Sequence, residues 1–331
     1  MAEDNIMKKP ALILVFCFLV FGILIGRNNV YGQEKFPARS INVIVPGAVG
    51  SGMDMEARGI APYVQKYLGV TMVVENIPGA QTKIGMNKAW KAKPDGHTLV
   101  VCTMPTPIML EKMLEVDYKT MQFTHVYAWS KNVVALFVHS ETWNTFDQFL
   151  NAARKKTLSC GVATLWSVPH LCGLLLADEL GLKVNWVPYE GASGLLTSLA
   201  GKHIDFVINM IPAALPLVRA GKIRPLLVLA DSHDFYPGVP IPKDIGYKID
   251  LIASIRGVVA PPNVPSDRVK ILESAFSKAV QDKGFLGWAE KSEIPIASID
   301  SKQFTQGTLE MYKIVEKYSS LLKGASDSKS K

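Results

Sequence analysis

The run Ile41-Asn42-Val43-Ile44-Val45-Pro46-Gly47-Ala48-Val49-Gly50-Ser51-Gly52-Met53-Asp54 joins a β-rich segment to a helical pattern through a loop of small residues. Residues 41–45 predict a strand that stops at Pro46-Gly47, and residues 53–68 predict a helix with Asp54 in its first turn. Backbone N–H groups at a helix start lack helical partners and carry partial positive charge, which suits an anion. The loop at residues 46–54 is therefore our candidate for one half of a ligand site, with a plain tight turn as the simpler interpretation.

The pattern of strand and helix continues downstream of this loop. Residues 71–75 predict a strand, residues 84–91 a helix and residues 97–103 a buried strand. Pro94-Asp95-Gly96, just before the last strand, predicts a turn, because proline fixes φ and glycine accepts positive φ. This β-α-β-α-β order favours a parallel sheet.

A second unit of the same kind follows. Each of its predicted helices ends just before a glycine, at Gly181, Gly201 and Gly221. Its predicted strands are residues 158–163, 183–187, 204–208 and 224–229, and its predicted helices are residues 170–180, 192–200 and 213–220. The sequence thus predicts two similar α/β units rather than one long sheet.

Two strand-like runs are candidates for crossing between the units, at residues 133–138 and 252–259. Two crossover strands form a hinge between two lobes with a cleft between them. We expect lobe 1 to comprise residues 33–135 and 254–331, and lobe 2 to comprise residues 136–253. Helices near residues 268–282 and 301–322 are predicted on lobe 1.

The N-terminal segment has the composition of an export signal. Lys8 and Lys9 precede an apolar run over residues 11–25, and Val30-Tyr31-Gly32 suits cleavage after Gly32. A retained membrane anchor is the alternative, but the run is shorter than the roughly 20 apolar residues that a spanning helix needs. We expect residues 1–32 to be a signal peptide and the mature protein to be periplasmic.

Charge and cysteine content narrow the function classes. The 331 residues carry a net charge of +7 at pH 7, a mild excess that favours an anionic ligand. Basic residues are not clustered with aromatic ones as in nucleic-acid-binding proteins, so we expect no nucleic acid partner. Three cysteines, Cys102, Cys160 and Cys172, follow the predicted cleavage point. An odd number predicts buried thiols rather than a disulfide framework, with a Cys160–Cys172 bridge as the alternative.

Motifs for catalysis and metal binding are missing from the sequence. There is no Gly-x-Ser-x-Gly elbow, no His-Glu-x-x-His and no paired-cysteine motif, so we expect neither catalytic residues nor a metal site. A dinucleotide-binding loop is a weak alternative. Gly50 and Gly52 fit its spacing and Glu75 lies near the expected acidic position, but Met55 replaces the third glycine. An NAD-dependent enzyme therefore stays open at this point.

An ordered set of motifs resembles the solute receptors of tripartite tricarboxylate transporters. Each motif is loose alone, but together they span the whole mature chain in the family's order. They are Phe36-Pro37, residues 46–54, Val74-Glu75-Asn76-Ile77-Pro78-Gly79-Ala80, Pro94-Asp95-Gly96-His97-Thr98-Leu99, Pro188-Tyr189-Glu190-Gly191, Gly201-Lys202-His203-Ile204-Asp205, Gly221-Lys222-Ile223-Arg224-Pro225-Leu226 and Val259-Ala260-Pro261-Pro262-Asn263-Val264-Pro265.

The resemblance implies a two-lobe periplasmic binding protein fold of the type II kind. It implies that a monomeric receptor without cofactor captures a small organic carboxylate and delivers it to the membrane permease subunits. A receptor that reports its ligand to a sensor kinase is the alternative within the same fold. The ligand contacts that the resemblance implies are Val49, Gly50, Ser51, Gly52, Asp54, Thr103, Thr164, Ser167, His170 and Asn209.

The key loop departs from the family's usual Gly-Gly-x-Thr-Asp. Ser51 replaces its second glycine and adds a hydroxyl, whereas Met53 replaces threonine and adds apolar bulk. Met53, Trp166 and Pro169 could pack against the body of a ligand. The departure predicts a less polar acid than a plain tricarboxylate.

Overall fold

The computed structural model describes residues 35–163, 165–189 and 191–327, and the helices and strands in these ranges belong to one compact unit that begins at Arg39. The strands are β1 (Ile41–Val45), β2 (Met72–Asn76), β3 (Thr98–Met104), β4 (Thr124–Asn132), β5 (Val134–His139), β6 (Leu158–Val162), β7 (Val184–Pro188), β8 (Phe206–Met210), β9 (Ile223–Leu229), β10 (Ser254–Ala260) and β11 (Ile296–Ile299). The expected signal peptide and its cleavage point lie outside the described residues.

The helices surround these strands. They are α1 (Gly52–Leu68), α2 (Lys83–Trp90), α3 (Thr106–Met113), α4 (Phe146–Lys155), α5 (Val168–Glu179), α6 (Ala192–Ala200), α7 (Ile211–Arg219), α8 (Ser266–Val280), α9 (Lys283–Lys291), α10 (Ser301–Lys317) and α11 (Ser319–Asp327), with short 3₁₀ helices at Ala80–Thr82 and Thr120–Gln122. Among the described residues, no helix combines the length and the apolar character needed to cross a membrane.

The strands form two sheets, which confirms the predicted α/β fold with two lobes. One sheet has the order β11-β4-β10-β3-β1-β2 and the other has the order β7-β6-β8-β5-β9. The predicted parallel pairing is confirmed for β1 with β2 and β3, and for β6 with β7 and β8. The sheets are nevertheless mixed, because β10 runs antiparallel to β3 and β4, and β5 runs antiparallel to β8 and β9.

The two crossings between the sheets lie side by side. Only Val133 separates β4 in the first sheet from β5 in the second, and the return segment over residues 230–253 leads into β10. Ser254 pairs with Asn132, and Val134 pairs with both Met210 and Leu229. The crossing strands therefore enter each sheet at the edge where its parallel strands end. This edge is where open α/β sheets place their ligands.

The apolar core is continuous between the two sheets. One cluster of buried side chains includes Val100 and Met104 from the first sheet and Leu136 and Ile208 from the second. Helix α11 packs against both α3 and α5, and its Leu322 is fully buried in the same cluster. A smaller cluster fills the other face of the second sheet beneath α6 and α7.

The three cysteines of the described chain are free and buried, which confirms the expected thiols and leaves the alternative Cys160–Cys172 bridge unformed. Burial raises the pKa of the Cys172 thiol to about 12, and it raises the pKa of Cys102 and Cys160 as well. All three stay protonated at neutral pH and act as small apolar side chains.

Candidate ligand-binding site

The loop between β1 and α1 turns sharply before the helix begins. Gly50 has a φ of +77°, in the left-handed region that favours glycine. The backbone N–H of Ser51 donates to the carbonyl of Ala48 at 3.1 Å. Ser51 is the N-cap of α1, and its Oγ accepts a hydrogen bond from the backbone N–H of Asp54 at 3.4 Å.

The carboxylate of Asp54 holds this loop in place. Only 3 % of Asp54 is exposed. Its Oδ2 accepts from the backbone N–H of Gly50 at 2.9 Å, and its Oδ1 accepts from Nε of Arg58 at 2.8 Å. Arg58 also donates to Oδ1 of Asn76 at 2.7 Å, and Asn76 donates to the carbonyl of Gly47 at 3.0 Å. Asp54 thus ties the loop to α1 and β2.

The same contacts keep Asp54 ionised. Burial is the largest influence and opposes ionisation, but the hydrogen bonds from Gly50 and Asn76 and the charge of Arg58 together outweigh it. The net effect holds the pKa of Asp54 below its ordinary value of 3.8. The loop therefore keeps its fixed negative charge at any pH near neutrality.

Two backbone donors remain open at the start of α1. The N–H groups of Gly52 and Met53 have no acceptor in the described part of the chain, and Gly52 is exposed. They lie at the positive end of a 17-residue helix. This pair of donors can bind one carboxylate.

Arg256 lies beside this helix start, and sequence reasoning missed it. It is on the crossover strand β10, opposite Thr103 at the end of β3. Its Nε donates to Oγ1 of Thr103 at 3.1 Å, and its Nη1 forms an ion pair with Glu56. A Cβ added to Gly52 would lie 3.4 Å from Nη1, so the guanidinium packs directly against the first turn of α1. The available signal was a lone arginine inside an apolar strand.

The loop before α5 has a similar construction in the second lobe. Ser167 is the N-cap of α5, and its Oγ accepts from the backbone N–H of His170 at 3.4 Å. Trp166 has a φ of +55°, and its backbone N–H donates to Nδ1 of His170 at 3.2 Å. His170 is 1 % exposed, and its ring packs edge-on against that of Trp186 with the ring centroids 5.3 Å apart. His170 therefore braces the loop from inside. The predicted contact Thr164 lies outside the described residues.

Asn209 lies at the carboxyl end of β8, next to Ala135 on β5. Its Oδ1 accepts from the backbone N–H of Met210 at 2.8 Å, which leaves Nδ2 pointing the other way. Asn209 is 5 % exposed, and Nδ2 has no hydrogen-bond partner among the described residues. A buried amide donor of this kind suits a polar partner.

The structure brings most of the predicted site residues to the edges where the two sheets meet the crossings. In the first lobe, the loop at residues 49–54 and Thr103 meet around Arg256. In the second lobe, Ser167 follows β6, and Asn209 lies at the carboxyl end of β8. Val49 is at the tip of its loop and is 76 % exposed.

The comparison with protein families identifies the kind of protein. The sequence model of the family "Tripartite tricarboxylate transporter family receptor" matches residues 56–318, which is most of the chain. This chain is a member of that receptor family. The family consists of periplasmic solute-binding receptors rather than enzymes, as the sequence predicted.

Relatives and solved structures of the receptor family extend the match. Protein BugT of Bordetella pertussis is 27% identical over 288 residues, which cover 84% of this chain and 88% of BugT. MatC from Rhodopseudomonas palustris with bound malate has a TM-score of 0.72 at 24% identity, covering 87% of this chain and 100% of MatC. A second R. palustris protein, with adipate, has a TM-score of 0.75 at 24% identity, covering 87% and 98%. These two structures support the shared two-lobe fold.

The structure also disfavours the dinucleotide alternative for this receptor-family member. Glu75, the candidate ribose-binding acid, accepts from Asn42 at 3.0 Å and from Lys88 at 2.9 Å. Both of its carboxylate oxygens are thus already engaged by side chains of the first lobe. Among the described residues, no cluster of three or more His, Cys, Asp or Glu side chains could hold a metal ion.

Proposed function

We propose that this protein is an exported periplasmic receptor that binds a small organic carboxylate in the cleft between its lobes and delivers it to the permease of a tripartite tricarboxylate transporter. The observation that carries the proposal is the open donor pair of Gly52 and Met53 in a loop that Asp54 holds rigid. A binding loop that is already ordered loses less entropy when the ligand arrives.

The predicted contacts have three different roles in this receptor. Val49, Gly50, Ser51 and Gly52 form the loop that surrounds the carboxylate, and Thr103, Ser167 and Asn209 supply side-chain polar groups from both lobes. Asp54 and His170 support the two loops from behind, since both oxygens of Asp54 and Nδ1 of His170 accept hydrogen bonds there. Thr164 stays a predicted contact of lobe 2.

Similar proteins with bound acids support a small organic carboxylate as the class of ligand. The structures of the two similar R. palustris proteins contain malate and adipate, both dicarboxylates. The mild net positive charge of the chain also favours negatively charged ligands such as ionised acids. Met53, Trp166 and Pro169 are predicted to contact an apolar ligand body, so we favour adipate-like or aromatic acids over citrate.

Calorimetry with a panel of acids tests the binding proposal. The panel should contain malate, succinate, adipate, citrate, benzoate and aspartate, with adipamide as an uncharged control. We expect at least one acid to bind with one-to-one stoichiometry and to raise the melting temperature, while adipamide does neither. If a well-folded preparation binds no acid of this kind, the receptor proposal is wrong.

Delivery to a permease requires a separate experiment. Proteoliposomes containing the large and small permease subunits should accumulate the labelled acid only when this protein is added outside. A variant that binds the acid but does not support uptake would leave the binding proposal intact. Uptake that is independent of the receptor would contradict the transport role.

A further inference from the structure

Arg256 has donors that the fold does not use. Its Nε is bonded to Thr103 and its Nη1 to Glu56, but Nη2 has no hydrogen-bond partner in the described part of the chain. The side chain is 17 % exposed, so it is not sealed inside the lobe. Nη2 lies 3.8 Å from the position that a Cβ on Gly52 would occupy. The open edge of the guanidinium therefore lies beside the open backbone donors of α1.

Glu56 fixes the orientation of that edge. Its Oε2 accepts from Nε1 of Trp129 at 2.9 Å and from Oγ of Ser130 at 2.8 Å. Glu56 lies one helical turn inside α1, behind Gly52. The Arg256 guanidinium is thus held by an anchored carboxylate on its inner side and by Thr103 on its strand. This arrangement leaves its rotamer little freedom.

The charged side chains near the start of α1 neutralise each other and leave the positive helix N-terminus available to an anion. Arg58 is balanced by Asp54, and Arg256 is balanced by Glu56. The positive end of α1 has no acid of its own beyond Asp54, whose two oxygens are both engaged. A charged donor and a helix N-terminus then act together on whatever binds beside Gly52.

We propose that Arg256 is a ligand-binding residue that selects for an ionised carboxylate at the α1 end of the cleft. In this arrangement, Nη2 and the N–H groups of Gly52 and Met53 donate to the same carboxylate, and only donors face it. A carboxamide of the same shape places an NH₂ group against a donor and is rejected. The inference rests on the proposed receptor function and adds a specificity-determining residue to it.

A purely structural role makes different predictions. If Arg256 only neutralises Glu56, then adding Arg256→Met to Glu56→Gln leaves ligand affinity unchanged, and any gain from Glu56→Gln comes from the lost negative charge alone. If Arg256 binds the ligand, then Glu56→Gln strengthens binding, because the positive charge facing the ligand is no longer offset. The loss of affinity when Arg256→Met is added to Glu56→Gln therefore separates the two roles.

The test uses calorimetry on four variants with the panel acid that binds the wild type most tightly. We expect Glu56→Gln to bind it roughly 3- to 10-fold more tightly, because a nearby opposing charge is removed. Arg256→Lys should bind roughly 10-fold more weakly, since lysine lacks the planar fork. The double variant Arg256→Met with Glu56→Gln leaves no buried unpaired charge and should bind roughly 10- to 100-fold more weakly. Arg224→Lys, on β9 in the other sheet, should bind like the wild type.

Two further readouts make the outcomes distinct. The wild type should prefer the acid over its amide at the α1 end by a larger factor than the double variant does. Melting temperatures of all variants should show that each is folded. If the wild type binds acids but Glu56→Gln and the double variant bind them equally well, the Arg256 proposal is wrong and the receptor function stands. If the wild type binds no acid, both are wrong.

Discussion

The guanidinium of Arg219, the last residue of α7, forms an ion pair with the carboxylate of Glu293, just beyond α9. Helix α7 packs on the second sheet, whereas α9 packs against α1 in the first lobe. The pair therefore joins the two lobes directly. It lies at one side of an apolar groove of about 250 Å³ whose lining includes Asn132 and Val133 at the crossing.

This ion pair should respond to lobe closure. Arg219 is largely exposed, so we expect a coupling with Glu293 of only up to ~1 kcal/mol, screened at high salt. A double-mutant cycle with Arg219→Met and Glu293→Gln measures it by urea unfolding, because each change removes the ion pair without adding a new charge. We expect the coupling to change when the protein is saturated with ligand, because closure alters the distance between the lobes.

The pair of Lys66 and Asp282 provides the control for that cycle. Lys66 on α1 contacts Asp282 at 2.8 Å, and both lie in the first lobe. Their coupling should be the same with and without ligand. An Arg219–Glu293 coupling that is equally unaffected by ligand would mean that the pair does not report closure.

Replacing Asp54 should loosen the loop that we propose binds the carboxylate. Asp54→Asn removes the charge that holds Gly50 and Arg58, and we expect roughly 10-fold weaker acid binding, in line with a lost charged hydrogen bond. Asp147→Asn is the matched control, since Asp147 is also in the first turn of a helix but is exposed. Calorimetry of the three proteins tests this, and equal affinities would contradict a role for Asp54 in the loop.

The pH dependence of the Asp54 effect has a defined sign. Its pKa is lower in the folded protein than the ordinary 3.8. The stability that its contacts contribute is therefore fully present above pH 3.8 and is lost as the pH falls through the folded value. Between pH 8 and pH 5, the stability difference between wild type and Asp54→Asn should be constant.

His125 should make the protein sensitive to mild acid. Burial lowers its pKa to about 4, against a backbone hydrogen bond at Phe123 that favours protonation. The unfolded chain then binds more protons than the folded one between pH 6.5 and pH 4. The free energy of unfolding is therefore highest above pH 6.5 and falls by up to ~3 kcal/mol as the pH drops to 4.

Unfolding curves across this pH range test the role of His125. The variant His125→Leu should show a flatter dependence on pH, whereas His203→Gln, at an exposed position, should follow the wild type. The same slope in His125→Leu and wild type would assign the acid sensitivity to other groups.

Gly257 should tolerate no side chain. A Cβ there would lie 2.3 Å from the carbonyl oxygen of Tyr127 and 2.7 Å from Cα of Ala128, both on β4. Gly257→Ala should destabilise the protein by about 1–3 kcal/mol or more, because backbone atoms must move. Gly287→Ala in α9 meets nothing within 4 Å and should instead stabilise by up to ~1 kcal/mol. Urea denaturation of both variants tests the contrast.

Sequence patterns predicted well those elements whose ends carry a local signal. Strand β1 and helix α6 have the predicted bounds, and α1 begins one residue earlier than predicted. The apolar pattern and, for the two helices, a glycine just after the last residue were sufficient to place the bounds of these elements. The predicted helix at residues 268–282 is less accurate: α8 ends at Val280, and Asp282 then caps a separate helix.

Strand β4 was not predicted, and its composition explains why. Its polar residues include His125 and the consecutive run Ser130-Lys131-Asn132, which are not spaced at every second position as on the exposed face of a half-buried strand. It lies between β10 and β11, and most of it is buried. Its polar atoms find partners such as Glu56 on α1, far away in the sequence. Only the tertiary structure reveals that such a strand can be central.

The candidate loop at residues 46–54 was predicted from local signals, but the residues that support it were not. A run of small residues before a helix is visible in sequence, and so is a serine at the cap. Arg256 became a candidate only because the fold brings it to Glu56, 200 residues earlier, and to Thr103. Such pairings have no periodicity or spacing that a single sequence could display.

The apolar cluster that runs from Val100 to Ile208 has a consequence for how this protein moves and unfolds. Side chains of both sheets, together with Leu322 of α11, belong to one packed interior. Lobes that share an interior cannot swing apart freely, so we expect any closure on a ligand to proceed by small sliding shifts of packed helices rather than by a wide rotation about a bare linker. Heating should likewise melt both lobes in a single calorimetric transition, and neither lobe should fold when expressed alone.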